Sequence, residues 1–169
     1  MLGVLNDILM VFDNNLCTFM LFLDLSAAFD TIDITKLVEI LSEEIGVSGV
    51  ALDWFKSFLT GRKQRVNIKD KLSDILEVLY GTPQGSVLGP ILFNIYVRSQ
   101  PKVFQMCKFK TSSFADDSNG RKTFALQFQY NVLKKGIASC MQEIMNWINL
   151  QFLKINPEKT EILLIRPKS

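Results

Sequence analysis

Histidine is absent from these 169 residues. That excludes a Ser-His-Asp triad, an imidazole general base and any histidine metal site. Cysteine is scarce: Cys17, Cys107 and Cys140 are scattered and odd in number. They form neither zinc spacing nor a disulfide framework, so a reducing compartment is expected. No apolar run approaches the ~18 residues of a membrane-spanning helix. The first residues lack the basic start of a secretory signal. Neither sign of charge dominates, with net charge +2 and 21% charged residues. The balance permits a nucleic-acid partner without requiring one. The basic residues gather in short clusters: Arg62, Lys63 and Arg65; Lys108 and Lys110; Arg121 and Lys122; Lys134 and Lys135. Each, taken singly, reads as a solvated loop.

Apolar residues are plentiful, at 48% with thirteen Phe. Such a chain reads as one globular domain able to bury a real core. Apolar residues at 2, 5, 8, 9 and 12 have helical spacing, ending at the turn signal Asp13-Asn14-Asn15. Leu16 to Leu25 is a nearly unbroken apolar run of strand length, which suits a central strand buried on both faces. Asp24 lies at its C-terminal end, where α/β sheets usually place ligands. Asp33 or Thr35 can cap a helix through Leu37, Leu41 and Ile45 with Gly46 as its stop. Ser48 can cap the next, through Leu52, Phe55 and Phe58, with Gly61 as its stop.

Arg62–Ile68 and Ile75–Tyr80 read as strands joined around Lys69-Asp70-Lys71. Gly81-Thr82-Pro83-Gln84-Gly85 then leads into an apolar, helix-like stretch to Val97. Glycines let backbone approach a ligand, and the following helix N-terminus offers free N–H groups to phosphate. Asn119-Gly120 is a turn signal. From Leu126 a long amphipathic helix is expected, with Leu133, Ile137, Cys140 or Met141, Ile144 and Trp147 or Ile148 in its core stripe. Pro157-Glu158-Lys159-Thr160 turns into a last strand, Glu161–Ile165.

The chemistry concentrates in Phe114-Ala115-Asp116-Asp117. Adjacent carboxylates repel, so a buried pair needs a cation. A hard divalent ion such as Mg²⁺ takes oxygen ligands and leaves room for phosphates. An isolated Asp-Asp is most simply a solvated turn. With Asp24 it becomes a candidate site: Asp24 and Asp116 or Asp117 could hold two Mg²⁺ about 3.5–4 Å apart, the spacing of in-line phosphoryl displacement. Phe29, five residues past Asp24, is either a packing residue or an aromatic set against a sugar to exclude a 2′-hydroxyl.

Four stretches together resemble a known family. Phe22 to Asp33 resembles motif A of reverse transcriptases from non-LTR retrotransposons, the long interspersed elements. Gly81 to Pro90 is similar to their motif B, Phe114 to Asp117 to motif C, and Leu153 to Glu161 to motif D. The segment Trp54 to Arg62 matches as well, and the resemblance spans essentially the whole chain.

It implies an α+β fold: a palm-like subdomain, an antiparallel sheet with helices packed on one face, forming over 1–169 a partial reverse transcriptase domain without most of its fingers and thumb. By resemblance Asp24, Asp116, Asp117 and the Leu25 carbonyl are metal ligands for two Mg²⁺, with Mn²⁺ as a substitute. Phe29 is the sugar gate. Gln84 and Gly85 contact nucleotide and template, with Phe114 and Ala115 beside the nucleotide. Lys159 donates a proton to the leaving pyrophosphate. The implied partners are an RNA template, a DNA primer, dNTP and the fingers, thumb and endonuclease regions of a parent polyprotein, inside the cell and away from membranes. The alternative is a catalytically silent remnant that binds nucleic acid or protein. The chain departs from the family pattern at Ile34, at Tyr96 to Pro101 and in the polar run Ser118 to Lys122.

Overall fold

The structure is a computed structural model that describes residues 2–114, 117–125 and 130–166. The chain divides into two compact units. The first comprises Met1–Ser26, Ser99–Leu150 and Lys154–Ser169; the second comprises Ala27–Arg98 and Gln151–Leu153.

The first unit is built on β1 (Leu16–Leu23). Six of its eight residues are buried, as an unbroken apolar run demands. The helix α1 (Leu2–Asp13) leads into it and packs along it. Around it lie β6 (Lys110–Phe114), β7 (Asp117–Ala125) and β8 (Glu161–Ile165), in the antiparallel order β6-β7-β1-β8. Two helices complete the unit: α5 (Gln100–Met106), which the sequence reading did not anticipate, and α6 (Tyr130–Leu150). They pack on each other, and α5 also packs on β6. Of the expected stripe of α6, Cys140, Ile144, Trp147 and Ile148 are buried, while Ile137 is half-buried. Leu126 lies outside the described residues, as does the side chain of Leu133.

Asn119-Gly120 is not a turn but the middle of β7, where Gly120 faces Leu21 of β1. The lack of a side chain has a packing reason. A Cβ on Gly120 would lie 2.5 Å from Phe104 Cε1 and 3.0 Å from Phe109 Cδ1. Phe104 is fully buried, and Phe109 meets both it and Phe19 edge-to-face at centroid distances of 6.1 and 6.0 Å. Each such ring contributes roughly 1.5–3 kcal/mol by burial, well above the ~1 kcal/mol spanned by β-propensity. Two of the polar residues of β7, Ser118 and Thr123, find polar partners. Ser118 Oγ donates to Gln100 Oε1 at 2.8 Å, and the Thr123 and Thr18 hydroxyls lie 3.2 Å apart.

The second unit begins with α2 (Ile34–Glu39), capped by Asp33, whose Oδ1 accepts from Lys36 N–H at 2.8 Å. It continues as a π-helical turn over Ile40–Glu44 and stops at Gly46, with φ +84°. The helix α3 (Gly49–Leu59) follows Ser48, whose side chain makes no capping bond, and α4 (Gly89–Tyr96) follows the glycine-rich loop. Leu37, Leu41, Leu59, Leu92 and Phe93 form the core. The two expected strands are broken into short pairs. β2 (Lys63–Gln64) pairs with β5 (Leu76–Glu77), and β3 (Asn67–Ile68) with β4 (Lys71–Leu72). The reversal is tighter than expected because Lys69 and Asp70 both adopt positive φ, as a two-residue hairpin turn requires. Lys71 therefore already belongs to the returning strand.

Candidate active site

In the first unit, β1 pairs with β7 from Leu16↔Ala125 through Leu23↔Ser118. Continued by one residue, this register sets Asp24 opposite Asp117, the first residue of β7. The hairpin partner β6 ends at Phe114, which pairs with Asp117. Two aspartates distant in sequence thus follow the last paired residues at one end of the sheet. Ala115 and Asp116 lie outside the described residues, as do the side chains of Phe114 and Asp117. Among the described residues no group of three His, Cys, Asp or Glu is positioned to hold a metal.

The backbone of Asp24 is anchored from the other side. Its carbonyl accepts Asn156 N–H at 2.9 Å, and its N–H donates to Thr160 Oγ1 at 3.4 Å. Ser26 N–H donates to the Lys154 carbonyl at 2.8 Å. These bonds make a bridge between Leu25 and Ile155. They run through the neighbours of Leu25, so its own carbonyl is not spent on the bridge. Lys159 stands exposed on the turn immediately before Thr160. Asp24, Leu25, Asp117 and Lys159 are therefore tied into one end of the first unit.

The other expected residues belong to the second unit. Ala27 adopts φ +47°, a conformation that costs a non-glycine residue ~1–2 kcal/mol, and its carbonyl accepts Asp30 N–H and Thr31 N–H. This bend presents Phe29, half-buried, with its ring 4.8 Å from that of Phe93. Gly81 N–H donates to the Ile32 carbonyl at 2.8 Å, and Thr82 N–H to the Phe29 carbonyl at 3.0 Å. The approach is so close that a Cβ on Gly81 would lie 2.8 Å from Asp30 Cα. Gln84 Nε2 donates to Asp30 Oδ1 at 2.7 Å. Gly85 has φ +76° and nothing near its absent side chain.

Three residues here have roles that the sequence reading did not assign to them. Asp30 holds Gln84. Gly81 permits the close approach of the two loops. Arg62 clamps them: Nε donates to the Leu59 carbonyl at 2.9 Å, while Nη2 donates to the carbonyls of Tyr80 and Gly81. Burial pulls its pKa below the usual guanidinium value. Its position beside Gly61 in a motif-like segment was the one available signal. A cleft of ≈ 680 Å³ opens beside these groups, lined by Asp30, Arg62, Tyr80, Thr82 and Gln84 among others.

Known proteins resemble this chain. The family described as reverse transcriptase (RNA-dependent DNA polymerase) matches residues 4–168. A probable RNA-directed DNA polymerase from transposon BS of Drosophila melanogaster is 27% identical over 161 residues, covering 90% of this chain and 17% of its own length. The corresponding protein from transposon X-element of the same fly is 34% identical over 116 residues, 68% of this chain and 13% of its own. The chain therefore spans less than a fifth of these relatives. Among solved structures, apo telomerase from Candida tropicalis, truncated from the C-terminal domain, superposes with a TM-score of 0.70 at 16% identity, over 99% of this chain and 36% of that one. That likeness speaks for the fold, the α+β palm with its antiparallel sheet. The chain belongs to the reverse transcriptase (RNA-dependent DNA polymerase) family, among domains of the non-LTR retrotransposon type.

Proposed function

We propose that residues 1–169, with motifs A to D, form the palm of an RNA-directed DNA polymerase that joins dNTP to a primer 3′-hydroxyl on an RNA template. The observation that supports this reading is the pairing of β1 with β7 up to Leu23↔Ser118, which leaves Asp24 and Asp117 as the next residues of the two strands at that end. Facing carboxylate positions repel unless a cation offsets them. Asp24, Asp116, Asp117 and the Leu25 carbonyl are hard oxygen donors, the donor set that divalent Mg²⁺ takes. These residues would hold two such ions, which when bound lower the pKa of the attacking hydroxyl and stabilise the leaving pyrophosphate.

The remaining roles fall to the chain's own side chains. Lys159, exposed beside the Asp24-anchored turn, donates a proton to the departing pyrophosphate. Phe29, braced by Phe93, excludes a ribose 2′-hydroxyl. Gln84, oriented by Asp30, and Gly85, with open space at its Cα, contact nucleotide and template. Fingers, thumb and endonuclease regions of a longer protein supply the rest of the grip on nucleic acid.

Primer extension on an RNA template with Mg²⁺ or Mn²⁺ tests this, beside Asp24→Asn and the double change Asp116→Ala/Asp117→Ala. Extension that disappears in both controls supports the reading. A folded chain that extends nothing, alone or joined to fingers and thumb, overturns it in favour of a silent binding remnant.

A further inference from the structure

Cys107 and Cys140 are 33 positions apart in sequence and come together within the first unit. Cys107 caps the C-terminus of α5, and Cys140 lies inside α6. Their contact is reciprocal. Cys107 Sγ donates to the Cys140 carbonyl at 3.9 Å, and Cys140 Sγ donates to the Cys107 carbonyl at 3.7 Å. Each side chain therefore reaches towards the other residue, the arrangement a disulfide needs, since cysteines whose side chains point apart cannot be bridged. The thiols also meet each other. Burial first, and the Cys140 side chain second, hold the Cys107 thiol well above its ordinary pKa.

The thiolate, not the thiol, is the nucleophile. The raised pKa keeps Cys107 protonated at neutral pH, so the pair rests reduced. The site is not fully sealed, since Cys107 keeps 8% of its surface exposed and Cys140 keeps 9%. Lys122 Nζ donates to the Cys107 carbonyl at 2.9 Å, and its charge favours the thiolate once it forms. The segment between the two cysteines contains β6 and β7, and with them Asp116 and Asp117.

We propose that Cys107 and Cys140 are a redox switch: a hydroperoxide joins them in a disulfide that closes the segment carrying the β6–β7 hairpin, and external thiols reopen it. The proposal goes beyond the polymerase reading and does not depend on it. One thiolate attacks a peroxide oxygen, which breaks the O–O bond, leaves a sulfenic acid and releases hydroxide. The second thiolate displaces the sulfenic hydroxyl as the S–S bond forms. The two sulfurs lose two electrons to the peroxide, and with hydrogen peroxide the two thiol protons end in two molecules of water.

The test treats the full, folded chain with stoichiometric hydrogen peroxide. Free thiols are then alkylated under denaturing conditions and tryptic peptides are mapped by mass. In the wild type the number of alkylated cysteines falls from three to one, Cys17, and a peptide pair linked through Cys107 and Cys140 appears. The melting temperature rises by about 10 °C, because closing a loop of this length restricts the unfolded chain. Dithiothreitol reverses both changes, which separates them from methionine oxidation. Cys17→Ala responds as the wild type does. Cys107→Ser and Cys140→Ser show no peroxide-dependent rise in melting temperature, and should either fail to fold, the wild-type peptide map decides. A folded wild type that keeps all three thiols overturns the proposal. So does a bond through Cys17 or between two copies of the chain, or a mapped Cys107–Cys140 bond that leaves melting unchanged.

Discussion

Tyr96 Oη donates a hydrogen bond to the Gln151 carbonyl at 2.7 Å, and the same oxygen accepts Asp33 N–H at 3.4 Å. One phenol thus joins the last turn of α4, the cap of α2 and residues 151–153 within the second unit. It is 1% exposed, and burial pushes its pKa up to about 12. In the unfolded chain a tyrosine ionises near 10. The folded state holds the proton more tightly, so this contribution is complete below pH ~10 and is lost as pH rises towards ~12. Tyr96→Phe is expected to cost about 1–2 kcal/mol at neutral pH, because it leaves the Gln151 carbonyl without this donor. It should also flatten the fall in stability between pH 10 and 12. Urea unfolding at several pH values measures both effects.

Gly81→Ala tests the interlock between the Phe29–Ile32 bend and the glycine-rich loop. The backbone there has φ +75°, and the added methyl would meet Asp30 Cα at 2.8 Å and the Phe29 carbonyl oxygen at 2.9 Å. Strain alone costs on the order of 1–3 kcal/mol, and both neighbours are backbone that cannot swing aside. Gly85→Ala, with open space but φ +76°, should cost less than Gly81→Ala. Parallel denaturant titrations compare the two. Equal losses would mean that strain, not the close approach, dominates at Gly81.

The same contrast explains what the sequence could reveal. β1 was legible because burial on both faces writes itself as an apolar run. β7 was not: Thr123 and Ser118 meet partners far along the chain, Thr18 and Gln100, and its glycine answers to Phe104. The acids and the glycine-rich loop could be recognised as residue types in order. Their restraints could not, since Thr160 is 136 residues from the Asp24 N–H it accepts and Arg62 is 19 from Gly81. The short helix α5 begins with Gln100-Pro101, a pair that reads as a loop until proline is allowed in a first turn.

Lys159→Met separates chemistry from folding. The side chain is exposed, so stability should stay within about 0.5 kcal/mol of the wild type. If Lys159 protonates the leaving pyrophosphate, the single-turnover rate on an RNA template falls by about 10²-fold or more. Thr160→Val gives the complementary result. It removes the hydroxyl that accepts from Asp24 N–H while leaving the lysine in place, and so disturbs the position of Asp24. A rate unchanged in Lys159→Met would remove the lysine from the mechanism.

Phe29→Val addresses sugar selection. The ring is half-buried against Phe93, so truncation removes both a bulky wall and part of a stacking contact. Loss of the pair should cost roughly 0.5–1.5 kcal/mol beyond lost burial, which a thermal melt reports. A steric gate makes a second, separable prediction: incorporation of ribonucleotides rises relative to deoxynucleotides. Phe93→Leu supplies the control, because it weakens the same stack while leaving the Phe29 ring in place. Destabilisation in both variants, with altered sugar preference only in Phe29→Val, assigns exclusion of the 2′-hydroxyl to Phe29 itself. A shift of equal size in both would instead make the ring a packing residue whose support, rather than its bulk, shapes the site.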